Sequence, residues 1–287
     1  MDNMQKIPVF FTFDANYLLA AKVAIHSMMK HASRQYWYEL YVFHTTLSPK
    51  AQQSLRNSLK EFTHTELHFI DVTQYNEKIK NFGTKAHYSK EIFYKLIATD
   101  VLPQYDRIIC SDVDVVFTGD FSPVFFMFPN EKFYYAGVGP VENSRMPYYR
   151  KDFSTTEMEI LEHEIAAGFL LINLKELRND HKQEEIINFY VNNYPRLRLP
   201  EQDCIILTCW PYIKYLPIDY SLPISFYRLN MNQRDFYQGN TEFAGDKATA
   251  LAKFNKGLAH PVQIHYAGFD KPWNCFRLTR RQDWIKA

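Results

Sequence analysis

A chain of 287 residues with 33 Lys and Arg against 32 Asp and Glu is nearly neutral, and 46% of it is apolar. That length suits one large α/β domain or two small ones, and the missing basic excess excludes a nucleic-acid partner. No apolar stretch reaches membrane-spanning length, and the start lacks the basic and apolar regions of a secretion signal, so a cytoplasmic protein is expected. Cys110, Cys204, Cys209 and Cys275 lack metal-ligand spacing and are read as buried free thiols in a reducing compartment. The 20 Tyr and 23 Phe suit either a carbohydrate-handling surface or an aromatic-rich core.

Residues 7–13 (IPVFFTF) are apolar and rich in β-formers and predict a central strand. Asp14, Ala15 and Asn16 break the run before a helical pattern over 17–30; Asp14 and Asn16 are candidates for a helix cap or a nucleotide contact. No G-x-G-x-x-G follows the strand, which argues against a dinucleotide cradle. Next come a strand over 39–44, a helix over 49–62 with Ser48 as N-cap and Pro49 at its first position, and a strand over 66–71. A helix over 90–101, closed by Pro103, leads to the strand that begins near Asp106. This alternation predicts a mostly parallel sheet with helices on both faces. Beyond it, 133–138 and 167–174 read as strands and 182–193 and 201–209 as helices. The polar stretch 142–164 is expected to be a mobile loop, and 227–256 shows only weak periodicity. No linker divides the chain, so one domain is expected.

The informative stretch is 106–120, DRIICSDVDVVFTGD. An apolar run delivers Asp112 and Asp114 at its end, and a second apolar run follows at once. Two carboxylates between such runs are costly to bury without a counter-charge. Residues i and i+2 of an extended chain share a face, so both can offer oxygen to one hard cation, Mg²⁺ or Mn²⁺. Roughly one D-x-D arises by chance in a chain this rich in aspartate. Its place at the end of a buried strand, where open α/β sheets keep their ligands, is what gives it weight. A second stretch, 264–273 (IHYAGFDKPW), offers His265, whose imidazole suits Mn²⁺ better than Mg²⁺ but equally suits a satisfied core position. In the same stretch Gly268 permits close backbone approach, and Lys271 is either a phosphate-binding charge or a solvated one.

Taken together, FTFDANY (11–17), SDVDVVFTGD (111–120), AAGFLLINLKELR (166–178), PEQD (200–203) and HYAGFDKPW (265–273) resemble, in order, the motifs of glycosyltransferase family 8. These are retaining enzymes that include lipopolysaccharide galactosyl- and glucosyltransferases and, more distantly, glycogenin. The resemblance implies an α/β fold, a single GT-A-type nucleotide-diphosphosugar transferase domain over 1–275, with 276–287 as a basic-aromatic tail. It implies a UDP-sugar donor and a divalent cation, Mn²⁺ or Mg²⁺, held by Asp112, Asp114 and His265. Thr12, Asp14 and Asn16 match the uridine side of the donor site. Lys95 and Val113 join Asp112 among the donor contacts, and Gly268 and Lys271 match the diphosphate contacts. Gln202 matches the glutamine placed beside the anomeric carbon. Two departures bear on sugar identity: Ala166 stands where the family often has asparagine, and no aspartate matches the family's around 137–139.

An amide is a poor nucleophile, so the expected chemistry is front-face return, with the acceptor hydroxyl entering on the side UDP leaves and a diphosphate oxygen taking its proton. Glu201 and Asp203 are candidates to orient the acceptor or to favour the helix N-terminus. The acceptor is expected to be a glycan or a lipid-linked glycan. Lys271, Arg277, Arg280, Arg281 and Lys286, interleaved with Phe276 and Trp284, suit either a peripheral contact with the inner membrane face or a solvated terminal helix. Two competing functions are a haloacid-dehalogenase-type phosphatase, which carries D-x-D on its first strand, and a non-catalytic nucleotide-sugar-binding module.

Overall fold

The computed structural model describes residues 4–80, 82, 89–142 and 151–287. Its large sheet runs in the order β3 (Thr65–Asp71), β2 (Trp37–His44), β1 (Lys6–Thr12), β4 (Ile108–Ser111), β7 (Phe169–Ile172), β6 (Tyr135–Val138), β8 (Ile213–Leu216). Pairings from β3 to β4 are parallel, β4–β7 and β7–β6 are antiparallel, and β6–β8 is parallel, so β7 alone is reversed. Every β1 position after Lys6 is buried, as an apolar strand covered on both faces requires. Alternate residues feed opposite cores. Val9, Phe11, Leu40 and Val42 pack on the side of helix Leu18–His31, while Phe10, Phe43, Ile108 and Cys110 pack with helices Lys182–Asn193 and Pro200–Cys209.

A second, three-stranded sheet was not anticipated from the sequence. In it β10 (Gln263–His265) pairs antiparallel with β5 (Val115–Phe117) and parallel with β9 (Leu222–Pro223). The apolar run after Asp114 therefore leaves the large sheet. Ser48 caps Pro49–Ser58 with its hydroxyl, as expected, but the helix stops short of residue 62. Residues 90–101 form a 3-10 helix, Lys90–Ile97, that passes into a single α-turn, Ala98–Val101.

Two polar stretches hold helices that weak periodicity concealed. Within 142–164, Thr155–Leu161 is a helix closed by a reciprocal Ser154–Glu157 capping box; residues 143–150 of that expected loop lie outside the described residues. Within 227–256, Asp246 caps helix Lys247–Ala259, which buries only Ala250, Phe254 and Gly257. All four cysteines are free, and three are buried. Residues 276–287 fold back as Arg281–Lys286, with Trp284 against Trp273 and beside a small core of Val116, Ile264 and Tyr266. Among the described residues no helix is long and apolar enough to cross a membrane.

Candidate active site

Asp112, Val113 and Asp114 form the crossover between the two sheets. The backbone N–H of Asp112 donates to the Gly168 carbonyl at 3.0 Å, extending the β4–β7 ladder by one rung. The Asp114 carbonyl accepts from the Tyr266 N–H at 2.9 Å, extending the β5–β10 ladder in the same way. That second ladder sets His265 opposite Val115 and brings its imidazole to the carboxylates. His265 Nε2 lies 3.7 Å from Asp112 Oδ2 and 3.4 Å from Asp114 Oδ1. Ligand atoms of the three residues all fall within 4.8 Å of one another. Two carboxylate oxygens and an imidazole nitrogen on one face make a donor set that fits a Mn²⁺-class cation, so the residues present suit the implied metal.

Two buried lysines complete the cluster. Lys95 Nζ lies 2.6 Å from Asp112 Oδ1, 3.2 Å from Glu201 Oε1 and 3.1 Å from the Ala167 carbonyl, which uses all three of its N–H donors. Burial works against the Lys95 charge, but Asp112 and Glu201 outweigh it and keep the ammonium protonated. Lys271 Nζ lies 2.5 Å from Asp114 Oδ2 and donates to the Tyr266 carbonyl at 2.9 Å. Burial alone would raise the Asp114 carboxyl; His265 and Lys271 more than reverse this and hold it well below the usual carboxylate range. Glu201 is raised, chiefly by burial, with Lys95 opposing and Asp112 adding to the rise.

These groups line a cleft of about 230 Å³ that also receives Thr12, Asp14, Tyr17, Val113, Gln202 and Gly268. Asp14 both caps and lines: its Oδ1 accepts from the Asn16 and Tyr17 N–H groups at 2.9 and 3.3 Å. Asn16 alone among the expected site residues falls outside this cleft. It lines an adjoining aromatic pocket with Phe82, Tyr190 and Tyr194, reached past Asp14 and Glu91. Gly268 sits at φ +101°, a conformation that favours glycine, with open space where a side chain would point. Asp203 is structural. Its buried Oδ2 accepts from the Arg198 and Leu199 N–H groups at 2.6 and 2.9 Å, fixing the start of helix Pro200–Cys209.

On the far side of Gln202, His265 and Ala267 a second pocket opens, about 330 Å³, walled by residues 138–142, 161–166 and 221–229. It holds Glu162, Glu164, Ser221 and the Phe226 ring; the Ser221 hydroxyl is buried without a hydrogen-bond partner. The missing family aspartate has a steric reason here. A Cβ on Gly139 would meet the Tyr215 ring at 2.5 Å, and one on Gly137 would lie 3.0 Å from the Ala166 carbonyl.

Sequence reasoning missed two contributors. Gly168 was noticed only as part of a motif, yet a Cβ there would lie 2.5 Å from the His265 ring, so the imidazole occupies space that only glycine leaves free. Tyr17 enters the sequence reading only as the end of the FTFDANY motif and the start of a helical pattern, with no site role, yet it lines the cleft edge-on to Trp273, 5.6 Å between ring centroids. Burial raises its hydroxyl, and the charges of Asp114, Asp14 and Asp112 add to the rise. An aromatic directly after a capping Asp-Ala-Asn was the available signal.

A mixed α/β sheet with paired aspartates at the edge where β4 ends defines the GT-A type of transferase fold, and solved structures share it. The bifunctional glycosyltransferase WbbM superposes with a TM-score of 0.75 at 22% identity over 98% of this chain, which spans 49% of that longer chain. The galactosyltransferase LgtC, solved with donor and acceptor sugar analogues, gives 0.71 at 16% identity, covering 98% of this chain and 94% of its own. Residues 8–276 match the model of the family described as Glycosyl transferase family 8, and the chain belongs to that family. A curated relative, lipopolysaccharide 1,2-glucosyltransferase of Escherichia coli strain K12, is 22% identical over 276 residues, 93% of this chain and 72% of that protein. The protein is therefore a glycosyltransferase, and the phosphatase alternative is not favoured: among the described residues D-x-D follows β4, the fourth strand in chain order, not the first.

Proposed function

We propose that the chain is a retaining, cation-dependent transferase that moves a hexose from a UDP-sugar to a glycan hydroxyl. One observation carries the reading: Asp112, Asp114, His265, Lys271, Gly268 and Gln202 line one cleft, although the ion-pair partners Asp114 and Lys271 stand 157 positions apart in the chain. The cation, Mn²⁺ or Mg²⁺, supplies neutralisation of charge on the departing diphosphate. Asp112, Asp114 and His265 are the residues that would hold it. Lys271 brings a second positive charge to the same leaving group, and Thr12, Asp14, Asn16, Lys95 and Val113 lie along the donor's path from base to sugar. Gln202 borders both the cleft and the second pocket, the position a group beside the anomeric carbon must take.

The second pocket is the acceptor side of this reading. Carboxylates, a hydroxyl and an aromatic face are the groups that bind sugar hydroxyls and stack on a pyranose ring. Gln202 holds an amide where a carboxylate nucleophile would stand, so front-face return with a diphosphate oxygen as base is the favoured course. Glucose and galactose are the first donor sugars to test. They agree with the sugars for which the Escherichia coli glucosyltransferase and the galactosyltransferase LgtC are named, and the former points to a lipopolysaccharide-type acceptor.

A cytoplasmic location with peripheral contact on the inner membrane face belongs to the same proposal. Phe276 is 84% exposed, with Arg281 4.9 Å from its ring, whereas Trp284 is engaged by Trp273. Sedimentation with anionic liposomes, with and without residues 276–287, tests the contact; equal pelleting removes it. For the central claim, a panel of UDP-sugars is screened for slow hydrolysis with Mn²⁺ and with chelator. Hydrolysis of UDP-glucose or UDP-galactose that stops with chelator is expected. Tight UDP binding with no turnover of any donor would instead favour the non-catalytic module.

A further inference from the structure

Of the large apolar side chains left exposed, Trp210 and Tyr212 share a single turn, between helix Pro200–Cys209 and β8, at 36% and 41% exposure. The turn is pinned through its backbone. The Trp210 and Tyr212 N–H groups donate to the Ile206 and Cys209 carbonyls at 3.1 and 2.8 Å, and the Tyr212 carbonyl accepts from the Tyr134 N–H at 2.9 Å. Trp210 is also braced from behind. The His163 ring lies flat against the indole, 3.8 Å between centroids and 11° between planes. His163 Nδ1 lies 3.2 Å from the Tyr237 hydroxyl, and the Tyr215 hydroxyl donates to the His163 carbonyl at 3.3 Å. One face of the indole is therefore covered and the rest is left to water in a fixed orientation. Fixing a ring that stays exposed costs side-chain entropy and returns little burial, so stability of the fold alone does not account for the brace.

The surroundings suit a sugar. A pyranose presents an apolar C–H face that can lie on an indole, and hydroxyls that need polar partners around it. The Lys132–Asp180 pair, 2.6 Å apart, offers such partners beside Tyr212, with Lys132 Nζ 5.0 Å from the centre of its ring. On the other side Glu162, next to His163 in the chain, lines the pocket that holds Gln202. Gln202 and Trp210 stand at the two ends of one helix, about 12 Å apart along its axis. A single sugar beside Gln202 would not reach the indole. A longer glycan leaving the pocket past the 161–166 wall would.

We infer that Trp210, braced by His163, is an outlying sugar subsite that stacks on an inner unit of an oligosaccharide whose terminal unit sits beside Gln202. This rests on the acceptor reading of the pocket and goes beyond it by naming the acceptor's class, a chain of sugars gripped at separated points. Two linked contacts on one chain bind more tightly than either alone.

Titration calorimetry on the full chain with UDP present tests this, using core oligosaccharides of increasing length released from lipopolysaccharide, and the methyl glycoside of their terminal sugar. The long oligosaccharides should bind at least roughly tenfold more tightly than the methyl glycoside. Trp210→Ala should weaken the long oligosaccharides about three- to tenfold and leave methyl glycoside and UDP binding unchanged. His163→Ala should give a smaller loss in the same direction, and His163→Phe, which keeps a flat ring behind the indole, should restore affinity. A Trp210→Ala variant that binds every length as the wild type does, or that loses methyl glycoside or UDP to the same degree, overturns the inference. So does a sedimentation-velocity run in which Trp210→Ala splits a dimer, because a second copy would then cover the ring. A wild-type chain that binds neither oligosaccharide nor glycoside overturns the acceptor reading of the pocket as well, so the two failures are distinguishable.

Discussion

The cleft around Asp112 and the pocket beyond Gln202 share a wall but are built on opposite principles. In the cleft, Asp112 and Asp114 stand on the crossover, His265 on a strand end and Glu201 in a helix's first turn. Lys95 stands in the last turn of a 3-10 helix and Lys271 reaches in from a loop, and each of the six touches another of these groups. Ladder register fixes Asp112 and Asp114, and a missing Cβ at Gly168 seats the imidazole. In the pocket the walls are mostly segments between elements, and its carboxylates and the Ser221 hydroxyl come from positions outside helices and strands. The difference teaches where each kind of specificity resides. The carboxylates and imidazole that must converge on one point are held by sheets, and the walls that would choose a partner are held mostly by loops.

The comparison breaks first at Asp114. Asp114→Ala should lower Mn²⁺-dependent UDP-sugar turnover on the order of a thousandfold, with unchanged circular dichroism; near-normal turnover would show that the cleft is not where the chemistry occurs. Gly168→Ala comes next, because its methyl collides with the imidazole. It should weaken Mn²⁺ binding in the presence of UDP about 10- to 100-fold by calorimetry, while leaving apo thermal stability within a few degrees. On the loop side effects should be gentler. Ser221→Ala removes a hydroxyl with no protein partner, so it should raise the acceptor KM about two- to tenfold and leave UDP affinity alone.

Smallest, and particular to the loop side, is a pH effect. Burial pushes the Glu242 carboxyl up to about 7 from its ordinary value of 4.5, although the Ile218 N–H donates to it at 3.0 Å. The folded chain then binds more protons than the unfolded chain between those values, so stability should fall as pH rises from 4.5 to about 7 and level off above. Glu242→Gln should flatten that slope and raise Tm at pH 8 by about 2–4 °C in a thermal melt. An unchanged slope would mean that another group carries the titration.

Much of the cleft was legible because it lies where strong local signals end. The run IICS closes a buried strand just before Asp112, and DANY follows IPVFFT with a capping aspartate in the corner. Those signals are short-range, and chain order placed them correctly. What stayed hidden was long-range. Nothing near Val115–Phe117 or Gln263–His265 announces that three-residue strands 146 or more positions apart will pair, because each is too short to show alternation. Helix Lys247–Ala259 was missed because it buries only three residues and so carries a faint apolar stripe. The partners of Lys95 and Lys271 were likewise invisible, since an ion pair across the fold leaves no periodic trace. Tyr215 filling the space beside Gly139 accounts for one departure from the family motif; no contact accounts for Ala166.

One residue, Val113, spans the seam between the two sheets, anchored on one side through Asp112 to Gly168 and on the other through Asp114 to Tyr266. Adding or removing a single residue there would slide a carboxylate by about 3.3 Å and turn it to the opposite side of the chain. The connecting segment around 139–142 has no such tether to the seam, unlike β9, whose Pro223 is in register with His265. Descendants of this sequence can therefore lengthen or shorten that segment to accommodate a new sugar, while the spacing of the aspartates stays frozen.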